Sequence, residues 1–174
     1  MKKSFALNAL IFFVFAMLIS KVGWSQDQDK SKRPSPPATA TGKIGDATIT
    51  INYSSPSVKG RQIWGALEPY DSVWRAGANE ATTFETNKDI MVEGKKLPAG
   101  KYAFFTIPTP NDWTIIFNKV PNQWGAFKYD KNQDALRVTV TPRKGPFQEK
   151  LNYAVNNNGI VLSWENLQIP VSIK

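Results

Sequence analysis

The chain contains no cysteine and no histidine, and these two absences remove most of the common site chemistries. Without cysteine there is no disulfide staple, no thiol nucleophile and no acceptor for the lipid of a bacterial lipoprotein precursor. Without histidine the serine and cysteine triads are excluded, and so is a histidine-ligated zinc or copper centre. No metal and no cofactor are therefore expected. Stability has to come from a packed core, which roughly 150 residues are enough to build.

Long apolar runs are also missing, except at the N-terminus. There Lys2 and Lys3 precede an apolar stretch from Phe5 to Ile19, broken by Asn8, and the small residues Gly23 and Ser25 follow. Basic, apolar, then small is the layout of a secretory signal. The stretch is about 15 residues, short of the roughly 20 that a spanning helix needs. Residues 1–25 are accordingly read as a cleaved signal peptide, with an uncleaved anchor as the competing reading. The expected product starts at Gln26, has no membrane span after signal removal, and is periplasmic or secreted.

The net charge is +8, but lysines and arginines are scattered rather than gathered into a stripe. Such a distribution describes a solvated surface, and no nucleic-acid partner is expected. Residues 26–41, QDQDKSKRPSPPATAT, hold charges, prolines and small side chains but nothing large and apolar. This composition cannot bury a surface and predicts a flexible, proline-rich linker.

From residue 42 onward the pattern has a period of two. Ile49, Ile51 and Tyr53 share one face against Thr48, Thr50 and Asn52, and Leu136, Val138 and Val140 repeat the arrangement against Arg137, Thr139 and Thr141. Further strands are predicted over 82–86, 90–92, 101–107, 113–118, 123–129, 151–155, 160–165 and 169–173. Glu93-Gly94 suits a hairpin turn. In KYAFFTI and WTIIFN both faces are apolar, which places these two strands at the centre of the fold, covered on both sides. No long amphipathic helix is present. The expected fold of residues 42–174 is all-β: a single β-sandwich or distorted barrel of about ten short, mostly antiparallel strands.

Residues 59–81 interrupt the strand pattern with glycine, proline and charge, and predict a long ordered excursion. Its blocks SPSVKGRQIWG and LEPYDSVWRAGANEATTF, followed in order by LPAGKYAFFTIP, WTIIFN and QWGAFKYD, resemble the bacterial family catalogued as domain of unknown function 2911. The resemblance runs from about Gly42 to the C-terminus. Lys59, Gly60, Arg61, Trp74, Arg75, Gly77, Asn79, Glu80, Trp124 and Gly125 match the family pattern. It implies an exported or envelope protein of Bacteroidetes-like bacteria and carries no established activity.

Read physically, WRAGANEAT brings a planar cation, an amide and a carboxylate together around Gly77. Arg75, with Arg61 and Lys59, is suited to receive a carboxylate, phosphate or sulfate through charge-assisted hydrogen bonds, with Asn79 and Glu80 adding orientation. The competing structural reading pairs Arg75 with Glu80 or Glu68 to pin the excursion. Trp64, Tyr70, Trp74, Trp113 and Trp124 offer faces for a sugar ring, against a competing role in the core. The candidate ligand-binding residues are Lys59, Arg61, Trp74, Arg75, Asn79, Glu80 and Trp124.

The expected function is thus an exported, non-catalytic β-sandwich that binds a small anionic or glycan ligand in the envelope. One alternative is a hydrolase or lyase acting on an envelope polymer with Glu80 as the candidate catalytic residue. Another is a structural module whose partner is an envelope protein. In the run YDKNQDA, Asp130, Asn132 and Asp134 alternate as in calcium loops, but without the glycine and terminal glutamate of the full motif, so a solvated turn is expected.

Overall fold

The computed structural model describes residues 29–174, so the signal peptide expected over 1–25 lies outside the described residues. Ten strands follow in order: β1 (Pro37–Ile44), β2 (Ala47–Ser54), β3 (Thr82–Thr86), β4 (Ile90–Val92), β5 (Lys95–Leu97), β6 (Gly100–Ile107), β7 (Trp113–Asn118), β8 (Asp134–Val140), β9 (Arg143–Asn156) and β10 (Gly159–Ser172). Every pairing is antiparallel.

Six strands form one sheet in the order β1-β2-β3-β6-β7-β8, with open edges at β1 and β8. The fold is therefore a sandwich and not a closed barrel. The second layer is built on the β9–β10 hairpin. Backbone bonds between Met91 and Lys174, and from Glu93 N to Ser172 O, attach β4 and β5 beside β10. Leu151 N to Pro56 O and Val58 N to Glu149 O attach the start of the excursion beside β9.

Period-two alternation decides which side chains meet between the layers. Ile49 and Ile51 of β2, Phe84 of β3, Phe104 of β6 and Ile115 and Phe117 of β7 face Leu151 of β9 and Leu162, Trp164, Ile169 and Val171 of β10. The outer face of the central strands carries a second, smaller cluster of Ala81, Ala103, Phe105 and Ile116, covered by Val73, Ile107, Ala126 and Tyr129. β6 and β7 are thus enclosed on both sides, as their two-sided composition predicts. Burial of this kind contributes about 25 cal/mol per Å² of apolar surface.

Four sequence expectations need correction. Residues 37–41, expected in the linker, form the first half of β1 and pair with β2. Their small side chains suit a tight site: a Cβ on Gly42 would sit 2.8 Å from Val155 of β9. The two strands expected over 160–165 and 169–173 are one strand, because Glu165, at φ 56°, absorbs an irregularity in register opposite β9. Nor are β9 and β10 short, at 14 residues each. Residues 123–129 are not a strand: they make a single bridge, Trp124 to Glu80, and Gly125, at φ 62°, turns the chain away. By contrast, Glu93-Gly94, at φ 47° and 75°, forms the hairpin turn joining β4 to β5.

Candidate functional site

The excursion over residues 55–81 has no ladder of its own, so its backbone groups must find partners elsewhere. Four isolated bridges do part of this. Ser57 bridges to Lys150 of β9, Trp64 to Glu68 within the excursion, Trp74 to Thr106 of β6, and Glu80 to Trp124. Ala78 N donates to Ser54 O, Thr82 N to Arg75 O, Ala81 N to Gln123 O and Gly125 N to Asn79 O. The tight path requires left-handed backbone at Ala76 and Asn79, with φ of 53° and 58°. For Ala76 that conformation costs about 1–2 kcal/mol. It is held because Ala76 O accepts from two hydroxyls, Tyr153 at 2.7 Å and Thr82 at 3.0 Å. Gly77 is needed for space: a Cβ there would lie 2.9 Å from Thr82 Oγ1 and 3.1 Å from Ser54 O.

The seven candidate residues do not form one site; the fold sorts most of them into two groups. Asn79, Glu80 and Trp124 come together, joined by the bridge and by the Gly125 to Asn79 bond. Two residues from the segment expected as a linker join them. Arg33 Nη1 donates to both carboxylate oxygens of Glu80 at 3.0 Å and lies 6.0 Å from the centre of the Trp124 ring. Asn79 Nδ2 donates to Ser35 O at 3.0 Å. Trp124 is 55% exposed, whereas Trp74, the other tryptophan among the seven, is buried.

The second group surrounds Arg75. Contrary to the expectation of a shared nook, no ion pair joins Arg75 to Glu80, whose carboxylate is held by Arg33. Among the described residues no carboxylate forms an ion pair with Arg75, and its buried Nε has no hydrogen-bond acceptor. The neighbouring acid is Glu68, which sequence reasoning weighed only as a structural partner. Burial pushes its carboxyl from the ordinary 4.5 up to about 7, against the pull of the Arg75 and Arg61 guanidinium groups. A smaller downward pull comes from the Trp74 side chain, whose indole Nε1 is aligned on Gly77 O at 3.2 Å.

Arg61 and Lys59 have local roles. Arg61 donates through Nε to Val58 O at 3.0 Å and through Nη2 to Ser57 O at 2.6 Å, closing the turn at Lys59-Gly60. Lys59 is exposed there and its backbone N donates to Glu149 Oε1. No hydrogen bond or ion pair among the described residues joins Lys59 to Arg75 or Glu80.

Trp74 is not a surface platform. With Trp64, Trp113 and Trp164 it forms a buried cluster whose ring centres lie 4.8 to 6.3 Å apart, mostly edge to face. The indole N–H groups of Trp64 and Trp164 are buried there without acceptors. The alternating acids near residue 130 are likewise structural. Asp130 caps a short turn by accepting from Asn132 N, and Asp134 accepts from Tyr129, Arg137 and Asn118. Burial and the Asp134 carboxylate push the Tyr129 hydroxyl up to about 12.

A cleft of about 750 Å³ opens elsewhere, lined among others by Thr139, Thr141, Arg143, Asn156, Asn158 and Glu93. None of the candidate residues lines it. Several of its polar groups are already engaged: Asn156 with Asn158 N, Thr141 with Asp112, Arg143 with Gln168 and Glu93 with Ser172 N. Volume alone does not make it the site.

Fold and site together define a disulfide-free antiparallel β-sandwich whose irregular excursion carries charged groups at its surface. A family model described as protein of unknown function (DUF2911) matches residues 35–173, and the chain belongs to that family. Comparison with curated proteins and with solved structures finds no match.

Proposed function

We propose that this protein is an exported, non-catalytic module that binds a small anionic ligand at Arg75. The observation that carries the reading is the Arg75 Nε, buried and without an acceptor. An N–H placed so loses hydration without gaining an acceptor, and an incoming carboxylate, phosphate or sulfate would supply one. Glu68 does not neutralise it fully at neutral pH, because burial holds its carboxyl at about 7. Arg61, close enough to act on Glu68, adds positive charge to the same region. Export is supported by the signal-like order of basic, apolar and small residues at the N-terminus.

A neutral glycan is the weaker form of this reading, because Trp64, Trp74 and Trp113 are core and only Trp124 offers a ring face. Catalysis by Glu80 is disfavoured by the engagement of both its oxygens with Arg33.

The test is a thermal-shift panel of sulfate, phosphate, acetate and a uronic acid, with neutral sugars as controls. At a hundredfold excess over the dissociation constant a bound anion stabilises by about 2.7 kcal/mol. The response is expected in the wild type and lost in Arg75→Gln, with the melting temperature of the ligand-free variant near that of the wild type. An equal response in both proteins, or none in either, contradicts the proposal.

A further inference from the structure

The group formed by Asn79, Glu80 and Trp124 is already filled, and by the chain itself. Residues 33–36 lie across it as a strap before entering β1. Arg33 gives its guanidinium to the Glu80 carboxylate and lies over the Trp124 ring, while the backbone carbonyl of Ser35 accepts from the Asn79 amide. Beyond Ser35, Pro36 O accepts from Ser55 N and leads the chain to the sheet.

From this we infer that Asn79, Glu80 and Trp124 form a recognition site for an arginine-bearing peptide, which the chain's own Arg33–Ser35 segment, bent after the Lys30–Lys32 turn, occupies in cis. Three observations support recognition over a mere pin. First, the site reads two different features, a planar cation through a carboxylate and an aromatic face, and a main-chain carbonyl through an amide, so that it recognises both a side chain and the peptide backbone. Second, its framework does not depend on the strap. Asn79 and Glu80 are fixed by the Gly125 to Asn79 and Ala81 to Gln123 backbone bonds and by the bridge to Trp124. Third, the holding contacts are individually weak. The ion pair is part-exposed, with side-chain accessibilities of 25% for Arg33 and 41% for Glu80, and the cation lies at the outer limit of a ring contact.

The surface also continues beyond what the strap covers. Phe127, 84% exposed, packs beside Gly125, and Val120 stands exposed on the same segment. An incoming peptide would find apolar surface there for residues flanking its arginine. Removing Arg33 takes away the strap's own cation, and a peptide supplied in trans would then compete with a weakened strap.

The experiment uses the full chain, wild type and Arg33→Ala, and the synthetic peptide Ser-Lys-Arg-Pro-Ser-Pro-Pro, which copies residues 31–37. Binding is read from the indole N–H resonance of Trp124, assigned through Trp124→Phe. Arg33→Ala is expected to fold, and to bind the peptide saturably, roughly tenfold more tightly than the wild type. Adding Glu80→Gln, or replacing the peptide's arginine by alanine, is expected to abolish that binding. A folded Arg33→Ala protein whose Trp124 resonance does not respond overturns the inference, as does binding indifferent to Glu80→Gln. Failure of Arg33→Ala to fold overturns it too, because a strap that the fold cannot release is a structural pin.

Discussion

Trp74 and Trp164 stack with ring centres 5.8 Å apart and planes 17° from parallel, yet only Trp74 has an acceptor for its indole N–H. Both rings are buried, so replacing either by phenylalanine removes similar apolar volume. The polar consequences are opposite. Trp74→Phe strands Gly77 O in the loop that carries Arg75, whereas Trp164→Phe deletes a donor that has no partner. Trp74→Phe is expected to be the more destabilising by about 1–3 kcal/mol. Urea unfolding of the two variants at equal m-values checks this, and equal midpoints would contradict it.

Glu68 makes stability depend on pH in a direction unusual for a carboxylate. Its folded-state value of about 7 lies above the ordinary 4.5, so between those limits the folded protein holds a proton that the unfolded chain has released. Its contribution is complete below about pH 4.5 and is lost as pH rises through 7. Glu68→Gln is expected to remove that loss, gaining up to about 3 kcal/mol over the wild type at pH 8 while matching it near pH 4.5. Denaturant midpoints of both proteins across this range check the slope. A variant that is less stable than the wild type at pH 8 would show that the carboxylate form of Glu68 is the stabilising one.

The strands were the most legible part of the chain. Alternation in ATITINY and DALRVTV sets inward and outward faces directly, and β3, β4 and β7 begin and end where their residue types predict. β1 escaped because its residues alternate only between small and smaller; an edge strand that crosses close to β9 at Gly42 has no room for the side chains that reveal a strand. Within the site, the excursion and the residue types around Gly77 could be read, but their partners could not. Arg33 reaches Glu80 across 47 positions, and nothing local marks a lysine- and proline-rich segment as one that will dock. Glu68 carried no signal of its own, since an acid between leucine and proline acquires a raised pKa only once folding buries it. Trp74 and Trp124 sit in similarly irregular blocks, and only the pairing of Trp74 with Thr106 at the heart of the sheet separates core from surface.

The Nε–H of Arg75, buried without an acceptor, can be observed directly. In ¹⁵N-labelled protein, adding sulfate or a uronic acid should move the Arg75 Nε–H resonance saturably, with a dissociation constant equal to that from thermal shift. The same titration should leave the Arg33 and Arg61 Nε–H resonances comparatively still. If the Arg75 resonance stays in place while the rest of the spectrum reports binding, the anion is held elsewhere and the central claim is wrong.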